Sequence, residues 1–255
     1  MKAYTSNNIR NIAVLGHGGK GKTTLCEAML YIAGASDRLG RVADGNTVLD
    51  FDSEEKRRKS SVSSAIAALE WDNTKLNIIA ALGLFDSEGG AAEAVRAAEA
   101  VLIVTSAGSG VDVGTEKAFR AAEKKGAAKF FAVTKTDSDH RNFYKTFDAL
   151  KEVYGNKLCP TIIPYMEGNI TKCYVNLMTG MAFSYDENGK ATKVPVPEDS
   201  VIEEMTSAFM EAVATTDDAL MEKFFEGEKF TKEEILKGLC IGIFDGSIYP
   251  VYAVS

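Results

Sequence analysis

Residues 16–23 read Gly-His-Gly-Gly-Lys-Gly-Lys-Thr, between an apolar β-like run at 11–15 and a helical pattern at 22–33. The octet satisfies Gly-x-x-x-x-Gly-Lys-Ser/Thr, and that strand-to-helix setting turns a short pattern into a credible phosphate loop rather than an incidental glycine turn. Glycines at 16, 18, 19 and 21 let successive backbone N–H groups converge on phosphate oxygens. The helix that follows aims its positive end at the same point. Lys22 supplies a point charge and Thr23 a hydroxyl for magnesium. His17, Gly18, Gly19, Lys20, Gly21 and Thr24 complete the candidate cradle. Lys20 either adds charge beside the loop or stands as a solvated surface lysine.

Around this loop, β-like runs at 62–71, 76–79, 100–105, 129–134 and 249–254 alternate with helical patterns at 91–99, 115–125 and 141–154. The alternation predicts an α/β fold of the P-loop NTPase type, a mostly parallel sheet with helices on both faces. Residues 156–247 break the rhythm, with a β-like run at 172–185, a polar turn at 187–189, and helical segments at 200–227 and 231–244. We read them as an α+β insertion, giving a core of 1–155, an inserted subdomain of 156–247 and a last core strand in 248–255. Met205, Phe209, Met210, Met221, Phe224 and Phe225 recur at helical spacing, and are expected to pack on a small sheet belonging to the insertion. The densest charge run, EEKRRK at 54–59, reads as a solvated or mobile loop.

Composition narrows the setting. Twenty-nine basic against thirty-six acidic residues leave a net charge of −7, which argues against a surface built for nucleic acid, and no sequence-specific nucleic-acid partner is expected. Cys26, Cys159, Cys173 and Cys240 are scattered without metal-site spacing, as suits a reducing compartment. No apolar run approaches the length of a membrane span and the N-terminus lacks a signal core. A soluble cytoplasmic protein without a membrane partner is expected.

A second motif bears on the ligand. After Phe130-Phe131-Ala132-Val133 comes Thr134-Lys135-Thr136-Asp137, which fits Asn/Thr-Lys-x-Asp. A carboxylate at 137 can accept hydrogen bonds from N1–H and the 2-amino group of guanine, a pattern adenine lacks, while the Lys135 stem lies along the base. The wrong base would leave buried polar atoms unpaired, so discrimination by such a pair is large. Downstream of a phosphate loop and at the end of a later strand, the tetrapeptide points to GTP and GDP.

In order along the chain, RNIAVLGHGGKGKTT, GNTVLDFDSEEKRRKSSVSS, LFDS, SGVDVGTEKA and FFAVTKTD resemble the G domain of translation elongation factor G and its paralogues. The likeness is strongest to elongation-factor-G-like proteins with a Gly-His-Gly-Gly loop. It runs from Arg10 to Asp137, and residues beyond resemble the subdomain these factors carry inside the G domain. The resemblance implies a magnesium-using, GTP-binding, ribosome-associated GTPase. It also implies further domains after Ser255, because Ala253-Val254-Ser255 falls at the family's last guanine-contacting loop; Ser255 is a candidate base contact on that ground.

Laid over this sequence, the family pattern matches at some positions and departs at others. Lys22 and Thr23 match the phosphate lysine and first magnesium hydroxyl. His17 matches a loop histidine, or is a surface residue beside glycines. Arg58-Lys59-Ser60-Ser61 stands where the first switch has Arg-Gly-Ile-Thr, so Ser61 retains the hydroxyl that meets magnesium, whereas Lys59 puts a Cβ and a charge in place of glycine. Ala80-Ala81-Leu82-Gly83 stands where the family has Asp-Thr-Pro-Gly: Gly83, a γ-phosphate contact by resemblance, is kept, and the aspartate that holds the magnesium shell is not. Leu84 occupies the place of the histidine that orients the attacking water, so no catalytic residue is assigned. Positioning is most of what a protein contributes to phosphoryl transfer, and intrinsic hydrolysis is expected to be very slow. Asp86 is a rescue candidate or a helix cap; Asp50 and Asp52 are alternative carboxylates on the first switch. Three readings follow: a GTP-binding domain with weakened hydrolysis, a non-catalytic ribosome- or partner-docking module that uses nucleotide structurally, and an adenine-specific ATPase or kinase, which Asp137 disfavours.

Overall fold

The computed structural model describes residues 2–83, 88–137, 142–168, 170–186 and 189–255. Leu84 and Asp86 lie outside the described residues. The chain divides into two compact units, one of Met1–Thr105 with Asp112–Lys129, the other of Ser106–Val111 with Phe130–Ser255.

The first unit is built on β1 (Ile9–Leu15), β2 (Ala65–Trp71), β3 (Thr74–Ala80) and β4 (Ala100–Ser106), in the order β2-β3-β1-β4. β1 runs parallel to both neighbours, with Val14 between Ala80 and Leu102. A strand with parallel partners on either side reads as an apolar run, and Ala13, Val14 and Leu15 are fully buried. β2 and β3 form an antiparallel hairpin whose turn residues Asp72 and Asn73 both adopt positive φ, the conformation a tight hairpin turn favours. Of the helices α1 (Lys22–Ile32), α2 (Ser53–Arg58), α3 (Glu88–Ala97) and α4 (Val113–Lys125), α1 packs on β2 and β3, and α3 and α4 pack on β1.

The second unit holds β5 (Ala128–Thr134), α5 (Phe143–Tyr154), β6 (Leu158–Glu167), β7 (Ile170–Asn176), β8 (Met181–Tyr185), β9 (Ala191–Val194), α6 (Ser200–Ala214), α7 (Asp218–Glu226), α8 (Lys232–Asp245) and β10 (Tyr249–Ala253). Its strands run β5-β10-β6-β7-β8-β9. β10 is parallel to β5 and β6, and the pairs from β6 to β9 are antiparallel. Phe131, Phe143, Phe147, Ile163, Phe209 and Ile248 are among its fully buried side chains.

Local chemistry overrides several expectations. β6 falls where no strand is predicted; it contains Pro160 and Pro164, and ladder irregularities at Val251/Tyr252 and Tyr165/Met166 lie close to both prolines. Through β6 the inserted strands continue the sheet of β10, correcting the expectation of a sheet of their own. The β run predicted over 172–185 is two strands, since the Gly180 N–H donates to the Asn176 carbonyl at 2.9 Å and the Thr179 N–H to Asn176 Oδ1 at 3.1 Å. The helix predicted over 200–227 breaks after α6, where the Thr215 and Thr216 hydroxyls donate to the carbonyls of Ala212 and Val213 and Asp217 caps α7. Nor is the charge run at 54–59 a loop. Asp52 and Glu55 form a capping box that starts α2. Buried Glu55 also accepts the N–H groups of Val62 and Ser63, which keeps them out of β2. No helix among the described residues is long and apolar enough to cross a membrane.

Candidate functional site

α1 opens directly from the glycine loop. Its N-cap, Gly21, sits at φ 90° and no side chain caps the first turn, so the N–H groups there are left for an anion. Lys22 Nζ donates to the carbonyls of Gly16 and His17, each at 3.0 Å. Burial pushes this ammonium down to about 8, with Cys26 and Asp112 pulling the other way. Gly18, Gly19 and Thr24 are exposed, whereas His17, Lys20, Gly21, Lys22 and Thr23 are half-buried.

Two contacts hold the loop from outside. Lys20 is not a solvated lysine: its Nζ lies 3.2 Å from Asp112 Oδ2, and both side chains are less than one-fifth exposed (15% and 19%). Asp112 is the N-cap of α4 and accepts from the Thr115 N–H at 2.8 Å and hydroxyl at 3.0 Å. Burial works against its carboxylate, but Thr115 and Lys20 outweigh that and hold its pKa below the ordinary value. The first turn of α4 also abuts His17 so closely that a Cβ at Gly114 would lie 2.6 Å from His17 Cα. Gly83 stands against the loop as well, where a Cβ would lie 2.9 Å from the Gly18 nitrogen.

Beside Thr23 a line of oxygen atoms assembles from the first switch. Thr23 Oγ1 is 3.4 Å from Ser61 Oγ, which donates to Asp50 Oδ1 at 2.5 Å. Asp50 is only 4% exposed, and among the described residues its Oδ2 has no hydrogen-bond partner. The two alternative carboxylates are thereby separated: Asp50 joins the hydroxyl pair and Asp52 caps α2. Lys59 ends α2 at φ 52°, taking a left-handed conformation without being glycine. At the tip of β3, Ala80 is half-buried and Ala81 and Leu82 are buried. Glu27, on α1, anchors the switch segment: its buried Oε1 accepts the N–H groups of Val48 and Leu49 at 2.8 and 3.0 Å.

In the second unit the Thr134 carbonyl accepts from the Ala107 N–H, and the Val133 carbonyl from the Val254 N–H, both at 2.9 Å. Lys135 is half-buried at φ 58°, Thr136 is buried, and Asp137 and Ser255 are exposed. The Thr136 hydroxyl lies 2.8 Å from the Tyr174 hydroxyl and donates to the Val254 carbonyl at 3.2 Å. Within their own units, then, the loop residues stand with Ser61 and Gly83, and the 134–137 turn stands with the last loop. Sequence reasoning missed Glu27, Asp112, Tyr174 and also Thr171, whose hydroxyl donates to the Thr136 carbonyl at 3.0 Å. Asp112 carries a readable signal as an N-cap three residues before Thr115, and Glu27 as an acid on the buried side of a helix; Thr171 and Tyr174 carry none.

Known proteins resemble this chain over nearly its whole length. Elongation factor G-like proteins from two strains of Mycobacterium tuberculosis are each 31% identical to this chain over 249 residues, covering 96% of it and 34% of their own length. A crystal structure of a protein from Thermus thermophilus superimposes with a TM-score of 0.88 at 34% identity, covering 96% of this chain and 37% of that one. The chain thus spans little more than a third of the length of these relatives. Residues 7–254 match the family described as elongation factor Tu GTP binding domain. With the phosphate loop and the guanine tetrapeptide both inside that match, the chain belongs to this family of translational GTPase G domains.

Proposed function

We propose that this chain binds GTP and GDP as the G domain of an elongation-factor-G-like factor acting at the ribosome, in the cytoplasm, and that it hydrolyses GTP slowly. The observation that carries the reading is the apolar tip of β3, Ala80-Ala81, beside a phosphate loop whose other groups are in place. The loop N–H groups, Lys22 and the Gly83 N–H grip phosphate oxygens. Thr134, Lys135, Asp137 and Ser255 take the base. Residues 156–247 are a subdomain inserted ahead of the strand that ends in the last guanine loop.

The residues beside Thr23 suit magnesium. Two hydroxyls and a buried carboxylate oxygen without a partner among the described residues are the hard oxygen donors this ion prefers. Thr23 and Ser61 would hold it, with Asp50 supplying the carboxylate that Ala80 cannot. Bound there, magnesium would neutralise charge developing on the phosphates. Water positioning is the missing part, since Leu84, at the family's histidine position, neither donates nor accepts a hydrogen bond.

The same apolar tip favours a second reading, a docking module for the ribosome or a factor partner in which nucleotide is a structural ligand. Calorimetric titration with GDP, ADP and a non-hydrolysable GTP analogue, with and without magnesium, tests the first reading, for which guanine-selective binding is expected. Absence of binding would refute it. Ribosome-stimulated GTP turnover would eliminate the docking reading, and intact binding without turnover would favour it.

A further inference from the structure

The inserted segment reaches the base-reading turn. Thr136 is 1% exposed, and its hydroxyl sits between the Tyr174 hydroxyl at 2.8 Å and the Val254 carbonyl at 3.2 Å. A hydroxyl has one proton to donate; given to Val254, it leaves lone pairs for the proton of the phenol. From the other side the Thr171 hydroxyl donates to the Thr136 carbonyl at 3.0 Å. Thr171 and Tyr174 are three residues apart on β7, a spacing that puts side chains on opposite faces of a regular strand. The ladder with β6 shifts here, pairing Met166 with Thr171 but Tyr165 with Cys173. Lys172 is therefore an extra residue, a bulge that turns both side chains toward Thr136. Burial raises the Tyr174 phenol above its ordinary value, with the Ser255 and Thr136 hydroxyls pulling the other way, so it keeps its proton at neutral pH. Between these anchors Lys135 holds φ 58°, a conformation a non-glycine residue keeps only where its surroundings over-determine it.

We propose that Thr171 and Tyr174 are positioning residues for base recognition: β7 locks the 134–137 turn to the 254–255 loop and so sets selectivity for guanine. The proposal rests on the reading of Asp137 as the guanine acceptor. That carboxylate must meet N1–H and the 2-amino group together, and loosening its turn sacrifices one of the two bonds before it weakens stacking or phosphate contacts.

Affinities of the 255-residue chain for GDP and inosine diphosphate, which lacks the 2-amino group, test this. The unsubstituted chain should prefer GDP, and Asp137→Ala should abolish the preference. Tyr174→Phe keeps the ring that packs edge-on against Tyr185 and removes only the hydroxyl. It should shrink the GDP preference about three- to tenfold, the worth of one neutral hydrogen bond, and leave affinity for inosine diphosphate nearly unchanged. Thr171→Val should move the ratio the same way, and serves if the first variant folds poorly. If the unsubstituted chain has no preference, the reading of Asp137 falls. If Asp137→Ala abolishes a preference that both β7 variants leave intact, the positioning role is overturned and the guanine reading stands. Equal loss of both affinities in the β7 variants would likewise overturn it, as a general structural effect.

Discussion

A single methyl group at Gly114 probes how tightly α4 braces the phosphate loop. A Cβ there would meet His17 Cα at 2.6 Å and His17 N and Cβ at 2.7 Å, against an ordinary contact that begins at 3.4 Å. Two of these three atoms are backbone, so relief requires α4 and the loop to part by roughly 0.8 Å, well inside the repulsive wall. Overpacking of this kind costs about 1–3 kcal/mol, and two unyielding backbones put Gly114→Ala in the upper half of that range. Alanine's better helix propensity returns at most about 1 kcal/mol, leaving a net loss of about 1–2 kcal/mol. For a chain of this size the melting temperature should drop by about 2–8 °C. The separation that relieves the clash also strains the 3.2 Å Lys20–Asp112 ion pair and moves the loop N–H groups. GDP binding should therefore weaken by about 1 kcal/mol, or some fivefold. Gly89 gives the control: it too is the second residue of a helix, and a Cβ there meets nothing within 4 Å. Gly89→Ala should hold or raise the melting temperature without altering GDP affinity. Thermal unfolding and calorimetric titration of both variants decide the matter. A Gly114→Ala protein as stable as the parent, with unchanged GDP affinity, would refute the bracing.

Three further outcomes are expected. Asp50→Asn keeps the shape and removes the charge beside Ser61, so the gain in GTP-analogue affinity that magnesium confers should fall about tenfold while GDP binding in chelator stays unchanged. Glu27→Ala strands the N–H groups of Val48 and Leu49, costing about 2–4 kcal/mol; limited proteolysis should show faster cleavage around residues 45–52, and an unaltered rate would count against the anchor. Phosphates need Lys22 charged, and its pKa of about 8 in the unliganded fold is raised again by a bound anion. GDP affinity should be flat below pH 8 and fall up to tenfold per unit above it. The unliganded chain behaves oppositely. Lys22 binds its proton less well folded, at about 8, than unfolded, at 10.5, so its contribution to stability rises between those values. Titrations and melts across that window check both signs.

The two nucleotide motifs were legible because each is chemically complete within a few residues. The pattern of the phosphate loop is carried by its own glycines, Lys22 and the start of α1, and that of the 134–137 turn by the end of β5, although α4 and Gly83 brace the one and β7 and the last loop hold the other. What stayed hidden depends on distant partners. Sequence spacing leaves Asp50 and Asp52 equivalent; the choice follows from Asp52 being occupied in a capping box with Glu55, a D-x-x-E pattern that reads as a helix start once it is recognised. β6 is obscured by Pro160 and Pro164, whose usual message is that a strand ends. Lys20 looks solvated because its partner, Asp112, lies far along the chain. Tyr174 meets Thr136 across 38 residues, a relation no periodicity expresses.

The bond from Thr136 to Val254 joins residues 118 positions apart, and β10 pairs with β5 through Ala253 and Val133. Contacts of that separation pay their closure entropy before they return anything, which makes them slow to form. The order of synthesis reinforces this. β5 and its turn are made well before β10, and β6 to β9 with α6 to α8 come between them. If the 134–137 turn reads the base as proposed, selectivity is a late acquisition of the growing polypeptide: the phosphate loop is made well before β10, but the turn is fastened only when β10 takes its place.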